Sequence, residues 1–234
     1  LVKSKFFLWL LALALTAGFA SLGRWQLHRA AEKQALLDQQ AQLLAHPSRQ
    51  SLAELSRQSD SRLAWVEGAG VFPNLPDLLL DNQRRGDAVG VHVYRVFQPD
   101  AGHALLVDLG WLPLPPDRKL PVLAAIHGKQ SIDGLLTPPP ASGLALGPAY
   151  VPSTPKQWLL TRVDLAALSQ ALHVDLAPRV LRLDPKLPLG YPRDLQLLTN
   201  TLPPERHRGY AVQWFGLALA TLVTALFLSF RRRP

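Results

Sequence analysis

The sequence predicts an α+β membrane protein in which two transmembrane helices flank a β-rich, mostly antiparallel extracytoplasmic domain. The first observation is a pair of uncharged runs, 18 residues from Phe6 to Gly23 and 22 from Gly209 to Phe230. At about 1.5 Å per helical residue these reach roughly 27 and 33 Å, against a hydrocarbon core of about 30 Å. The second is the texture of the roughly 185 residues between them: short apolar runs punctuated by turn residues, in a stretch long enough for one domain with a real core. The third is the placement of charge.

The chain carries a formal net charge of +8, which by itself invites a nucleic-acid partner. Its distribution excludes that class. All 17 acids lie between Glu32 and Glu205, and the stretch from Arg24 to Arg208 holds 20 Lys and Arg, so its net charge is only +3. The other cations, Lys3, Lys5, Arg231, Arg232 and Arg233, stand outside the apolar runs with no acid beside them. By the positive-inside rule both ends are expected in the cytoplasm and the central domain outside. Arg24, Arg29, Arg206 and Arg208 flank the opposite side, and the three consecutive terminal arginines tip the balance. With no cysteine in the chain, a disulfide framework, thiolate metal sites and thiol redox chemistry are excluded.

The expected organisation runs in chain order. Residues 1–23 form the cytoplasmic end and first span, and 24–46 an outward helical stalk continuous with it. The extracytoplasmic β-rich domain follows over 47–202, the second span over 203–230 and a cytoplasmic tail over 231–234. A cleavable signal peptide ending near Gly18-Phe19-Ala20 is the rival reading of the first run. The unbroken helical pattern into Arg24–Ala45 favours a retained span. In the stalk, Leu27, Ala30, Leu37, Ala41 and Leu44 recur at helical spacing as an apolar stripe for the domain, and Pro47 ends the helix. Gly216 with Ala220, and Ala14 with Gly18, make small-xxx-small pairs expected to bring the two spans together.

Strands are expected at 64–67, 78–80, 91–97, 105–109, 132–136 and 179–183, in an antiparallel sheet curled toward a barrel. Turns are expected at Asn74, Pro76, Asp81-Asn82, Arg85-Gly86, Asp100 to Gly102 and Pro138 to Pro140. The runs 91–97 and 105–109 read as a hairpin. One helix interrupts the strands, capped by Asp164 and apolar at Leu165, Leu168 and Leu172. The second span starts sharply, because Pro203-Pro204 suits a first helical turn and Glu205 complements its dipole.

His207 is the most informative single residue. It stands in the first turn of the second span, where the positive helix terminus and the neighbouring Arg206 and Arg208 disfavour a charged imidazole. A neutral imidazole is what a haem iron takes as an axial ligand. Tyr210, Ala211, Trp214 and Ala218 continue that face, a wall for a flat macrocycle with its propionates toward Arg206, Arg208, Arg24 or Arg29. The same residues also serve as plain interfacial anchors. Trp25, Gln26 and His28 occupy the matching level of the first span, so His28 is a candidate second ligand. Gln213, one to two turns inside, is expected to bond the partner helix or a ligand. His92, His103, His127 and His173 lack ligand spacing, and Asp81, Asp108 and Asp117 define no site. No H-E-x-x-H, G-x-S-x-G or G-x-x-x-x-G-K-[ST] occurs, so no catalytic constellation is specified.

At these residues the chain resembles the surfeit locus protein 1 family of cytochrome c oxidase assembly factors. Gly23-Arg24-Trp25-Gln26-Leu27-His28-Arg29 with Glu32-Lys33 follows the first span. Val66-Glu67-Gly68, Leu80-Asp81-Asn82, Gly90-Val91-His92-Val93 and Gly134-Leu135-Leu136 follow in family order, as does Leu106 to Pro113. Pro204 to Ala218, with its His-x-x-Tyr-Ala-x-x-Trp-Phe, closes the pattern. One departure stands out: where the family usually has Asn-Arg-Gly-Trp, this chain has Asp108-Leu109-Gly110-Trp111. The resemblance implies a non-enzymatic factor that receives haem a and presents it for insertion into subunit I of the oxidase, with His207 as the haem-interacting residue. It also implies residence in a bacterial inner membrane, with subunit I, haem a synthase and the lipid bilayer as partners. The competing reading from another class is a scaffold that binds no haem and stabilises a subunit I assembly intermediate by protein contacts.

Overall fold

The structure is a computed structural model that describes residues 2–46, 48–55, 62–141, 146–197 and 201–230, with side chains described from residue 6 onward. Pro47, expected to end the stalk, and Arg231 to Arg233, expected to anchor the tail, lie outside the described residues. Helix α1 (Val2–Ala45) is followed by β1 (Arg49–Ser51), the one-turn α2 (Leu52–Leu55), β2 (Ala64–Val71), β3 (Asp77–Arg85), β4 (Ala88–Pro99) and β5 (Ala104–Pro113). Then come β6 (Gln130–Thr137), β7 (Tyr150–Thr154), β8 (Gln157–Leu160), α3 (Leu165–Leu172), β9 (Leu176–Leu183) and α4 (Pro204–Phe230). The chain divides into two compact units, Leu1–Gln39 with Thr201–Pro234, and Gln40–Asn200.

In the first unit α1 and α4 form an antiparallel pair, and both are long and apolar enough to cross a membrane. Their sheltered positions follow one rule. On α1 these are Trp9, Ala12, Thr16, Phe19, Gly23, Gln26, Ala30, Lys33 and Leu37; on α4, Pro204, His207, Ala211, Trp214, Ala218 and Thr221. Alternating steps of three and four residues are the heptad spacing of a two-helix seam. The indole of Trp9 donates to Ser229 Oγ at 2.8 Å at one end, and Lys33 Nζ donates to the Leu202 carbonyl at the other. Between them Phe19 stacks on Trp214 with ring centroids 5.8 Å apart. Outside the seam the helices are clothed in exposed Phe, Leu and Val.

Two expectations about this pair are corrected. Gly18 and Gly216 face open space, and Ala14 and Ala220 are exposed, so those pairs make no close approach. The small residues that do sit in the seam are Gly23, Ala30, Ala211 and Ala218, because a heptad step selects them and a four-residue step does not. In the stalk, Leu27, Ala41 and Leu44 are exposed, and the sheltered line passes instead through Ala30, Lys33 and Leu37. Reading apolarity alone hid Lys33, whose stem lies along the seam while its ammonium reaches a carbonyl.

The second unit is a nine-stranded sheet in the order β1-β2-β6-β9-β5-β4-β3-β8-β7. An added pairing of β2 with β4, Gly70 opposite Pro99 and Val71 opposite Gln98, closes β2, β6, β9, β5 and β4 into a ring. Most neighbours are antiparallel; β1–β2, β3–β8 and β5–β9 are parallel. Alternation along the strands sorts apolar side chains to two sides. Val66, Val93, Phe97, Val107, Leu136 and Leu181 belong to one buried cluster, while Leu78, Val96, Leu106, Leu160 and Val180 pack on the other side with Leu168 and Leu172 of α3. Asp164 caps α3 as expected, its Oδ1 accepting from Ala167 N at 3.1 Å.

Candidate functional site

Pro203 and Pro204 set the start of α4, and the N–H of Arg206 bonds the Pro203 carbonyl at 3.1 Å. This places His207 in the first full turn, on the seam face. The side chain is 7% exposed. Its Nδ1 lies 2.6 Å from Oε1 of Gln26, a seam residue of α1 at the same level. Nε2 is buried and has no hydrogen-bond partner. A buried ring nitrogen without a partner is costly unless another group uses it.

The other residues singled out in the sequence fall into two groups. Trp214 lies in the seam one heptad step from His207, against Phe19, and Ala211 and Ala218 flank it on the same face. Tyr210 sits at the flank, 39% exposed, because three residues along a helix leave it about 60° short of the His207 direction. Gln213, at roughly 120° the other way round from the seam, is exposed and faces outward. Trp25 is 52% exposed, and Arg24 and Arg206 are exposed. Arg208 reaches Gln34 Oε1 of α1 at 3.4 Å. His28 points outward and pairs with Glu32 at 3.1 Å; Arg29 pairs with the same carboxylate at 2.8 Å. His28 and His207 are therefore not brought together.

Sequence reasoning missed Phe19, the residue that faces Trp214. The signal was present, since Phe19 lies one heptad before Gln26 on α1. The donor set fits an axial role for His207: a sequestered imidazole with one nitrogen engaged and the other unused. Small residues above and below, and the Phe19–Trp214 pair farther along, give apolar walls. Among the described residues no cluster of three or more His, Asp or Glu is placed to hold a metal ion, so a bare ion held by several side chains is not what this arrangement offers.

The β unit holds a second polar cluster. Asp108, 4% exposed, accepts from Gly110 N at 3.0 Å, lies 3.1 Å from His92 Nδ1 and 3.6 Å from Arg182 Nε. Burial pushes the Asp108 carboxyl up, but the hydrogen bond and charge of His92, the charge of Arg182 and the Gly110 N–H outweigh it and hold the group below the usual carboxylate range. Burial and the adjacent Asp108 charge push the Tyr94 phenol well above its usual value. The cluster ties β4, β5 and β9 together beneath the segment that follows β9.

Fold and site define a class of proteins in which a β domain with a closed ring of strands is inserted between two long apolar helices that share a polar pair in their seam. The chain belongs to the SURF1 family, whose model matches residues 13–219. This is a family of assembly factors associated with cytochrome oxidase assembly, not a known catalytic family. No curated protein matches the chain.

Proposed function

We propose that this chain is a membrane-anchored factor that receives haem a and presents it for insertion into subunit I of cytochrome c oxidase. One observation carries the reading: the sequestered, unpartnered Nε2 of His207 between two helices built to cross a bilayer. Haem a, when bound, supplies an iron that takes an imidazole nitrogen as axial ligand. His207 holds that iron through Nε2. Trp214 and Phe19 shelter the macrocycle from water, and Arg24, Arg206 and Arg208, exposed at the level where the helices meet the outer boundary, receive the propionates.

The role is carriage rather than conversion. A carrier needs affinity high enough to shield its cargo and lower than that of the final site, and a single imidazole with apolar walls meets both needs. The exposed apolar faces of α1 and α4 support insertion in a bacterial inner membrane. The charge asymmetry supports cytoplasmic termini and an extracytoplasmic β domain. Haem a synthase would then supply the cargo and subunit I would accept it.

The test is purification from a host that makes haem a, recording pigment and partner proteins together. A Soret band is expected in the native protein and its loss in His207→Ala. A full Soret band in that variant removes His207 from the mechanism. Subunit I co-purifying without pigment under every condition replaces the carrier with a scaffold.

A further inference from the structure

We infer that Gln26 is a positioning residue whose side-chain carbonyl fixes the imidazole of His207 in the tautomer that leaves Nε2 bare. The inference rests on the proposed role of His207 and adds the part that makes the ligand competent. The separation of 2.6 Å from Oε1 to Nδ1 is a hydrogen bond, and an amide oxygen only accepts. Two lone pairs facing at that distance would repel, so the proton sits on Nδ1. A neutral imidazole has one ring proton, and the lone pair is then on Nε2, the nitrogen that the structure leaves without a partner.

No other side chain at this level performs the same task. The neighbouring seam positions are Gly23 and Ala30 on α1 and Pro204 and Ala211 on α4, none of which carries a side-chain acceptor. Without Gln26 the ring proton is free to take Nε2, which blocks iron and leaves a buried donor unsatisfied. The carbonyl also stops rotation of the ring, and a hydrogen bond donated from the far nitrogen makes an imidazole a more basic ligand. Since Gln26 belongs to α1 and His207 to α4, the ligand is ready only while the helices are paired at this level.

The experiment uses the full chain in lipid nanodiscs with 15N-labelled histidine, free of haem, the His207 signals being those lost in His207→Ala. Imidazole 15N shifts distinguish a protonated from a bare nitrogen. In the native protein a protonated Nδ1 and a bare Nε2 are expected; a protonated Nε2 overturns the inference. Gln26→Leu is expected to move the proton to Nε2 or to mix the tautomers, and Gln26→Glu, which keeps an acceptor, to retain the native pattern. An unchanged pattern in Gln26→Leu also overturns it.

With haem a added, resonance Raman should show a lower iron–imidazole stretching frequency in Gln26→Leu and a higher one in Gln26→Glu. Affinity should fall about 10–100-fold in Gln26→Leu. If the native tautomer is as stated but His207→Ala keeps its pigment, the haem reading fails and the tautomer assignment stands. If pigment needs His207 but the tautomer ignores Gln26, only this inference fails.

Discussion

The Nδ1 of His92 lies 3.1 Å from Oδ1 of Asp108 across the β4–β5 pair, and the same carboxylate oxygen accepts the N–H of Gly110. A buried carboxylate is tolerated only when its oxygens are paired, and here both are, since Arg182 stands on the other side. In the family resemblance an arginine usually follows this position, where the chain has Leu109, a buried residue of the barrel side. The cations that meet Asp108 come from β4 and β9 instead.

This pairing gives stability a defined pH dependence. The folded pKa of Asp108 is depressed below its unfolded value of about 3.9. Its contribution is therefore fully present above that unfolded value and is lost as pH falls through the folded one. Asp108→Asn should cost about 1.5–3 kcal/mol near neutral pH. Urea unfolding of native and variant protein across a pH series should show a constant gap above about pH 5 that narrows in acid. A gap that holds constant down to pH 2 contradicts the assignment.

Gly110 is held where no other residue fits. Its φ is 118°, and a Cβ there would stand 2.5 Å from the carbonyl oxygen of Tyr191. The bonds from Tyr191 N to Leu109 O at 2.7 Å and from Trp111 N to Pro192 O at 2.9 Å close that approach. Gly110→Ala is expected to lose about 2 kcal/mol or more from strain and displaced backbone. Hydrogen exchange should quicken first at Tyr191 and Trp111, whose amides make those two bonds.

Arg193 secures the same segment. Its guanidinium donates to the carbonyls of Asp184, Leu187, Leu189 and Tyr191, four turns of backbone that no strand satisfies. Arg193→Lys keeps the charge and loses the fork, since an ammonium cannot reach several carbonyls in one plane. Limited proteolysis should then cut between residues 184 and 193 faster than in native protein. Equal cutting in both proteins would show that the segment is held by its apolar contacts alone.

Much of this was legible in sequence where a period or a local signal exists. The expected strands all lie within β2, β3, β4, β5, β6 and β9, and Asp164 caps α3, because alternation and capping are local physics. Asp81-Asn82 was expected to turn the chain. Instead Asn82 takes φ 56° inside β3 and makes an irregularity between Leu80 and Gln83, after which the strand resumes. Strands β7 and β8 gave little signal, with Pro152 in one and only four residues in the other. At the seam, sequence placed Gln26 and His28 at one depth beside His207 and gave no means of choosing. Two residues are about 200° of helix rotation, and only the heptad phase over the whole of α1 decides that Gln26 faces in.

That phase makes a prediction about two glycines. A Cβ at Gly23 would stand 2.8 to 3.0 Å from the ring of Phe215, whereas one at Gly216 meets nothing within 4 Å. Gly23→Leu should therefore overfill the seam and cost about 1–3 kcal/mol, with the helices pushed apart near His207. Gly216→Leu adds an apolar side chain to an open face and should leave the pair intact. Thr16 and Ala218 are seam residues on either side of the Phe19–Trp214 stack, and the chain has no native cysteine, so the Thr16→Cys, Ala218→Cys pair reports cleanly on helix separation. Cross-linking by a short bifunctional thiol reagent should slow in the Gly23→Leu background and hold its rate with Gly216→Leu. Slowing by both substitutions alike would mean that α1 and α4 meet through a different face, and the pairing of Gln26 with His207 would go with it.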